Sequence, residues 1–382
     1  MHSAYYIVPL CIEQPTWGGT YIAKFKGITS PLLSHKKIGQ SYELAQESLL
    51  TTTQTSNFGL TDNSLKSIHF DQKNEPLIKL ADLIQEDPEH FLGQAVVKVY
   101  GAKMPLLIKF TQAQENSYQL HVKKGGEFES WQAKPESWYF FEEGKATLGL
   151  SPSGKIAEYK QRSQEIYDFS RKLSQEVTAG TKTVETAQAE LKAEIDKKHP
   201  REFINTINIP KNSVVDISAG GIHHSWEAGP EIPEGNIVYE VQQDVKDDVS
   251  TLRSFDQGKM KENGEVRTLT IEEYFQAIDT TAAANNPANF VRPITEKKEL
   301  LHIFDTEFYR LAEFNFQGKY QSDETEMREG FHHLFVKEGE VVVETSDRKY
   351  PLSKGWSLLV PAATQKYTLV SQKSATILKT TV

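Results

Sequence analysis

The chain has 382 residues, of which 38% are hydrophobic, 25% charged and 10% aromatic; this predicts about two or three globular domains and excludes a largely disordered protein. Its formal net charge of -9 argues against a general nucleic-acid-binding surface. Its one cysteine, Cys11, excludes an intramolecular disulfide framework and a cysteine-rich zinc site.

The N-terminal sequence MHSAYYIVPLCIEQ has only a short apolar run and no basic residues ahead of it. It therefore lacks the pattern of a signal peptide. No segment of the chain approaches the roughly 18 consecutive apolar residues that a membrane-spanning helix needs. We expect a cytoplasmic protein that does not bind membranes.

Residues 1–154 contain short apolar runs broken by turn residues, such as YYIVPL, MPLLIKF and SWYFFEEG, which are typical of strands. The segment ADLIQEDPEHFLG within them favours a helix. Residues 155–202 are strongly charged and rich in helix-forming residues, with Gly180 in the middle and Pro200 near the end. This predicts a helical insertion made of two antiparallel helices.

Strand patterns return in residues 203–284, at INTINIPKNSVVDISAGGIHH and NIVYEVQQDV, and a helix is predicted at 270–279. Residues 285–299 begin with the Asn- and Pro-rich segment NNPANFVRP and are interpreted as a linker. Residues 300–382 are strand-like to the end. We therefore expect residues 203–284 to complete the domain begun by 1–154, and 300–382 to form a second domain.

A faint internal repeat supports two barrels. SWYFFEEGKATLGL is similar to HLFVKEGEVVV, and SVVDISAGGIHH is similar to WSLLVPAATQKY. Each copy has a strand, a Glu-Gly turn and another strand, followed later by a strand that ends in small residues. The pattern predicts a mainly β protein with two small antiparallel barrels of the jelly-roll type, the first of which carries the helical insertion.

The two copies differ in the residues that could bind a metal. Aligning them on the Glu-Gly turns places Glu136 opposite Phe331, and aligning them on the small-residue turns places His223 opposite Lys366. The first barrel is therefore predicted to carry the chemistry, and the second to be structural and metal-free.

The strongest candidate cluster lies in the first barrel. In a strand, Gln119 and His121 point to the same face because side chains alternate. Glu136 on a following strand and His223 at the end of a later one could meet them across the barrel. Two imidazole nitrogens, a carboxylate and an amide oxygen suit zinc. Taken by spacing alone, such residues are more often ordinary hydrogen-bonded groups of a strand.

The order of several motifs resembles the type I phosphomannose isomerases (mannose-6-phosphate isomerases), which are zinc-dependent enzymes of the cupin superfamily. The C-terminal barrel is consistent with this resemblance. The motifs are PTWGG (15–19), GQSYELA (39–45), PLLIKF (105–110), SYQLH (117–121), KPE (134–136), AGGIH (219–223), EVQQ (240–243), RSFD (253–256) and RTLTIE (267–272).

The resemblance implies one zinc ion per chain, with the metal ligands of the family falling on Gln119, His121, Glu136 and His223. It also implies a fold of two cupin-type barrels with a small helical domain.

Other functional positions of the family also have matches in this sequence. Arg253 matches the active-site arginine, Glu240 its acidic neighbour, and Lys134 the lysine just before the glutamate ligand. Ser117 and Lys109 match positions near the substrate phosphate. The implied catalytic residues are thus Arg253, Glu240 and Lys134, and the implied substrate-binding residues are Ser117 and Lys109.

The implied activity is the interconversion of mannose 6-phosphate and fructose 6-phosphate by proton transfer through an enediol. The expected partner is a small-molecule sugar phosphate, and the protein is expected to be a monomer or a homodimer. The sequence departs from the family at three places. After His121, Val-Lys-Lys replaces Pro-Asp, and Glu240 and Arg253 are a few residues further apart than usual. His224 and the insert 226–235 are also unusual. The alternatives are a metal-binding sugar-phosphate sensor and an isomerase for a different aldose.

Ordinary structural roles are also open for several of these residues. Glu240 and Arg253 could form simple ion pairs, which contribute little when exposed. The helices of the insertion could be a solvated cover. His332 and His333 are adjacent in a predicted strand and so face opposite sides, which argues against a shared metal.

Overall fold

A computed structural model describes residues 2–71, 76–114, 116–152, 155–225, 231–296, 298–322 and 329–382. Part of the unusual insert, 226–230, lies outside these residues. The strands are, in chain order, β1 (Tyr5–Ile7), β2 (Leu10–Glu13), β3 (Ile38–Leu44), β4 (Leu49–Thr51), β5 (Gly59–Thr61), β6 (His69–Phe70), β7 (Ile78–Lys79), β8 (Leu106–Ala113), β9 (Tyr118–His121), β10 (Glu136–Phe140), β11 (Gly144–Leu150), β12 (Ile204–Ile209), β13 (Ser213–Asp216), β14 (Gly221–Ser225), β15 (Asn236–Gln243), β16 (Thr251–Phe255), β17 (Val291–Pro293), β18 (Leu300–Asp305), β19 (Arg310–Gln321), β20 (His332–Glu338), β21 (Glu340–Glu344), β22 (Lys349–Ser353), β23 (Ser357–Val360) and β24 (Thr368–Thr381).

The helices include all the segments expected from the sequence, together with three short helices that the sequence did not predict. They are α1 (Tyr21–Phe25), α2 (Leu80–Glu86), α3 (Pro88–Leu92), α4 (Gln94–Tyr100), α5 (Ile156–Thr178), α6 (Val184–Lys198), α7 (Ile271–Ala277) and α8 (Ala282–Asn285), with short 3-10 turns at Pro200–Phe203, Asp247–Val249 and Pro287–Asn289. Among the described residues no helix is long and apolar enough to cross a membrane.

Two sheets form the first barrel. Sheet 1 has the order β17-β13-β10-β15-β8-β3-β2-β5-β6, and sheet 2 the order β12-β11-β14-β9-β16. Trp138 and Val238 of sheet 1 share a buried cluster with Ala146 and Leu148 of sheet 2. The inner faces of the two sheets therefore pack against each other, as in a jelly roll.

Sheet 3 forms the second barrel from β18-β19-β24-β20-β23-β1-β4-β7; in addition, β21 pairs with β24, and β22 pairs with β21. Leu334 and Ile377 lie in its own core. Its other face packs on sheet 1, where Phe335 and Leu359 share a cluster with Tyr239. The mainly β fold of two cupin-type barrels is confirmed.

The N-terminal strands are distributed differently from the expected segments. β1 pairs with β23 and with β4, so that Tyr5 lies opposite Leu359 and Tyr6 opposite Thr51. The sequence pattern predicts residues 1–154 in the first barrel, but these short strands extend the sheet of the second. Pairing between strands so far apart in sequence leaves no local pattern to detect.

The helical hairpin covers the outer face of sheet 2. Tyr159, Ile166 and Leu173 recur on one side of α5 at intervals of two turns and are buried, in the same cluster as Leu120 and Leu252 of sheet 2. The molecule therefore consists of stacked layers, in the order helices, sheet 2, sheet 1 and sheet 3. The helices act as a cover, with their charged residues outward.

The segment expected to be a linker contains a strand. β17 pairs with β13, with Val291 opposite Val215 and Pro293 opposite Ser213. The buried Phe290 precedes it. β17 lies at the edge of sheet 1, where a proline is tolerated because one side of the strand needs no partner.

Candidate metal centre

The inner face of sheet 2 carries a row of polar side chains. β9 lies between β14 and β16, with Gln119 opposite His223 on one side and opposite Arg253 on the other. His121, two residues on, points to the same face. Leu120 between them points to the helices and joins their buried cluster. The alternation expected from the SYQLH sequence is therefore what brings these residues into the barrel.

The facing side of sheet 1 supplies carboxylates and a lysine. Trp138 lies opposite Glu240, Glu240 opposite Lys109, and Lys109 opposite Tyr42, on four adjacent strands. Glu136 is two residues before Trp138 and therefore shares its face. The barrel interior is thus polar at this end and apolar at the other.

His121, Glu136 and His223 converge between the two sheets. One potential ligand atom from each lies within 4.8 Å of the others, and all three side chains are buried. Nε2 of His121 is 3.1 Å from Oε2 of Glu136. The imidazole rings of His121 and His223 are 4.5 Å apart between centroids. These three residues were expected to be ligands, and the fold places them together.

Hydrogen bonds orient each of the three for metal binding. Nδ1–H of His121 donates to the carbonyl of Ser250 at 2.9 Å, and Nδ1–H of His223 donates to the carbonyl of Gly221 at 3.1 Å. Trp138 donates to Oε1 of Glu136 at 2.6 Å. Both Nε2 atoms and Oε2 therefore remain for a metal. Nε2 of His223 is buried without a hydrogen-bond partner among the described residues, which is costly unless a ligand satisfies it.

The protonation states also fit a divalent cation. Burial lowers the pKa of His223 to about 3 and also lowers the pKa of His121, so both imidazoles are neutral near pH 7. Burial alone would raise the pKa of Glu136, but its contact with the His121 imidazole and the charge of Lys134 lower it overall. Two neutral imidazoles and a carboxylate form a donor set that suits zinc.

Gln119 lies beside this group. Its amide Nε2 donates a hydrogen bond to Oγ of Ser117 at 3.2 Å. The amide oxygen is therefore left as the metal-ligand atom expected from the sequence. Ser117 is fully buried and also accepts a hydrogen bond from Nε of Arg253 at 3.2 Å. Ser117 therefore contacts two predicted site residues, and its role at a substrate phosphate stays a prediction.

Glu240 and Lys109 form a buried ion pair on sheet 1. Lys109 Nζ is 3.0 Å from Oε1 of Glu240, and Thr111 donates to Oε2 at 3.1 Å. Burial raises the pKa of Glu240, opposed by Lys109. Burial alone would lower the pKa of Lys109, but Glu240 raises it overall. Thr111 was not identified from the sequence, although it lies two residues after Lys109 on the same face of β8.

Lys134 and Arg253 meet at a residue that the sequence reasoning missed. Lys134 Nζ is 2.9 Å from Oδ1 of Asp247, and Nη2 of Arg253 is 3.2 Å from Oδ2. Lys134 Nζ is also 3.9 Å from Oε2 of Glu136. The signal was present as the acidic pair in DVKDDV, within the segment between Glu240 and Arg253 that differs in length from the family.

The His332-His333 pair behaves as expected for adjacent strand residues. His332 contacts the hydroxyl of Tyr367 at 2.9 Å, within the second barrel. His333 contacts the hydroxyl of Tyr239 at 3.0 Å, at the junction of the barrels. The two rings point in opposite directions, and the prediction that they share no metal is consistent with this placement.

Comparisons with known proteins agree with the resemblance drawn from the motifs. The family model "Mannose-6-phosphate isomerase, cupin domain" matches residues 303–378, in the second barrel. A protein of Bacillus subtilis (strain 168) with the name "Putative mannose-6-phosphate isomerase YvyI" is 23% identical over 293 residues, which are 76% of this chain and 78% of the relative.

Solved structures share the whole fold. The mannose 6-phosphate isomerase from Bacillus subtilis is 17% identical with a TM-score of 0.66, and a variant of phosphomannose isomerase from Salmonella typhimurium is 13% identical with a TM-score of 0.68. A zinc-bound mannose 6-phosphate isomerase is 13% identical with a TM-score of 0.67. In all three the match covers 100% of both chains. In sequence and in fold, the chain therefore resembles the mannose-6-phosphate isomerases, which are aldose–ketose isomerases.

Proposed function

We propose that this chain is a zinc-dependent isomerase that interconverts mannose 6-phosphate and fructose 6-phosphate. The observation that carries the proposal is the convergence of His121, Glu136 and His223 within 4.8 Å, where the buried Nε2 of His223 has no hydrogen-bond partner among the described residues. The names of the relatives support the choice of substrate, and the donor set supports the choice of zinc.

The reaction moves a proton between two adjacent carbons of the sugar and moves the carbonyl from C1 to C2, with no net oxidation. When bound, zinc supplies a Lewis acid that polarises the sugar oxygens. The protein must supply a base that can accept a proton near neutral pH and return it. Gln119, His121, Glu136 and His223 are proposed to hold the metal.

Glu240 is our candidate for the proton carrier. Its pKa is raised by burial, which makes its carboxylate a better proton acceptor than an exposed one. Lys109 and Thr111 hold the two carboxylate oxygens at 3.0 and 3.1 Å and fix their position. Tyr42 and Trp138 flank this row on the neighbouring strands.

Arg253 and Lys134 are our candidates for the groups that bind negative charge. The guanidinium of Arg253 is held by Ser117 and by the carbonyl of Thr251 at 3.0 Å, so it is oriented before a ligand arrives. A fixed arginine fork binds phosphate or a developing enediolate oxygen with two parallel hydrogen bonds.

The departures from the family sequence after His121 fall outside this constellation. Lys123 and Lys124 are 61% and 60% exposed and form ion pairs with Asp279 and Glu307. They change surface ion pairs and leave the ligand set intact. The departure after His121 therefore gives no reason to favour a sensor over an isomerase.

The decisive experiment is an assay of mannose 6-phosphate conversion by the purified protein before chelation, after chelation and after zinc is restored. We expect turnover that a chelator abolishes and zinc recovers. Zinc-loaded, folded protein that does not convert mannose 6-phosphate would refute the assignment. Screening further aldose phosphates with the same protein would then separate another isomerase from a sensor.

A further inference from the structure

Asp247 is an exposed carboxylate that covers two nearly buried cations. Its side chain is 63% exposed, whereas those of Lys134 and Arg253 are 4% and 15% exposed. Oδ1 contacts Lys134 at 2.9 Å, and Oδ2 contacts Arg253 at 3.2 Å. An anion that enters from solvent to reach these two cations therefore meets Asp247 first.

The geometry is that of an anion site filled by the protein itself. Each carboxylate oxygen of Asp247 contacts one of the two cations, and the hydroxyl of Thr251 donates a hydrogen bond to Oδ1 at 3.2 Å. Two oxygens of a phosphate group would satisfy the same three donors. Because the Asp247 side chain is 63% exposed, it can rotate into solvent and leave this site to another anion.

The cations do not depend on Asp247 for their position. Arg253 is also held by Ser117 at 3.2 Å and by the carbonyl of Thr251 at 3.0 Å. Lys134 lies 3.9 Å from Oε2 of Glu136. Rotation of the Asp247 side chain would leave an oriented arginine and a buried lysine facing the opening.

We propose that Asp247 is a specificity-determining residue: its carboxylate fills the anion site of Lys134 and Arg253 in the free protein, and the phosphate group of a sugar substrate binds there by displacing it. The assignment of the anion as a sugar phosphate rests on the proposed function. The competition between Asp247 and an entering anion does not rest on the proposed function, because it depends only on the charges of Asp247, Lys134 and Arg253. Asp247 thus excludes weak anions and admits groups that outcompete a carboxylate.

The test is a calorimetric titration of inorganic phosphate into zinc-loaded full-length protein. Asp247→Asn keeps the shape of the side chain and removes its charge, so we expect phosphate to bind on the order of tenfold more tightly. Asp248→Asn is the matched control, because Asp248 is the adjacent exposed residue and forms no ion pair with a described residue. It should bind phosphate as the wild type does.

Three further variants make the result specific. Arg253→Ala combined with Asp247→Asn should remove the gain, which separates this site from phosphate bound at the metal. Asp247→Glu keeps the carboxylate, so its phosphate binding should stay as weak as that of the wild type. If Asp247→Asn fails to retain zinc, Asp247→Ser takes its place in the titration. Equal or weaker phosphate affinity in Asp247→Asn than in Asp248→Asn would overturn the proposal. Failure of mannose 6-phosphate turnover would overturn the proposed function alone, since phosphate binding needs no turnover.

Discussion

Nε2 of His121 on sheet 2 and Oε2 of Glu136 on sheet 1 lie 3.1 Å apart, so the candidate metal centre joins the two sheets of the first barrel. A carboxylate in this position completes the donor set of the two imidazoles. The centre is therefore a product of the barrel fold, because neither sheet alone contains all three groups.

Replacing Glu136 should remove the metal. We expect Glu136→Ala to lose bound zinc, because two neutral imidazoles and an amide lack the charge that a carboxylate supplies. Metal analysis after dialysis measures the zinc content per chain. Glu143→Ala is the control, since Glu143 is an exposed acidic residue in the turn after the same strand. Unchanged stoichiometric zinc in Glu136→Ala would remove Glu136 from the ligand set.

Replacing Arg253 should separate turnover from metal binding. We expect Arg253→Ala to lower kcat on the order of 10²–10³-fold, the usual effect of removing an oriented donor to developing negative charge. Zinc content should not change, because Arg253 contacts Ser117, Thr251 and Asp247 and not the carboxylate or imidazole ligands. Arg171→Ala, on the exposed side of α5, is the matched control. Full turnover in Arg253→Ala would show that the active site lies elsewhere.

The proposed role of Glu240 as the proton carrier predicts that turnover depends on pH. A proton acceptor works only when deprotonated, so turnover should fall as the pH drops through the pKa of Glu240, which burial raises above the ordinary value of about 4.3. We expect Glu240→Gln to lower kcat by on the order of 10²–10⁴-fold while zinc is retained.

Thr111→Val gives the sharper test of this assignment. The hydroxyl donates to Oε2 of Glu240 at 3.1 Å, and a hydrogen bond to the charged form lowers a pKa. Its loss should raise the pKa further and move the acid limb of the kcat profile to higher pH. An acid limb that stays in place in Thr111→Val would argue against Glu240 as the proton carrier.

The architecture and most of the site could be predicted because both leave local or ordered signals in the sequence. The alternation in SYQLH placed Gln119 and His121 on one face, and the faint repeat indicated two barrels. The expected barrel put Glu136 and His223 within reach of them, and the resemblance to a family implied all four as ligands; the fold brings His121, Glu136 and His223 to the same point.

The role of Asp247 and the sheet to which β1 belongs were not predicted, for different physical reasons. Asp247 lies in a one-turn 3-10 segment, which has no periodicity that would assign its side chain to a face. β1 has only three residues, and its partner β23 lies near the other end of the chain, so its sheet is set by tertiary packing. Neither contact is encoded within a short window of sequence.

The junction of the two barrels contains a buried histidine that should make stability depend on pH. His333 is fully buried, with the hydroxyl of Tyr239 3.0 Å from Nδ1 and the carbonyl of Glu43 3.1 Å from Nε2. Burial lowers its pKa to about 3, whereas an unfolded histidine titrates near 6.5. Between these values the unfolded chain binds a proton that the folded chain does not, so the free energy of unfolding decreases as the pH falls.

Removing this histidine should reduce the pH dependence. For one such group the loss of stability between pH 7 and pH 5 is about 2 kcal/mol. In equilibrium urea unfolding, the decrease in the free energy of unfolding from pH 7 to pH 5 should be smaller in His333→Gln than in the wild type by this amount. This holds even if the variant is less stable than the wild type at pH 7. The control is the same substitution at an exposed position, His302→Gln. If the free energy of unfolding depends on pH in the same way in the wild type and in His333→Gln, the prediction is wrong. The folded protein would then bind the proton at His333 as readily as the unfolded chain does.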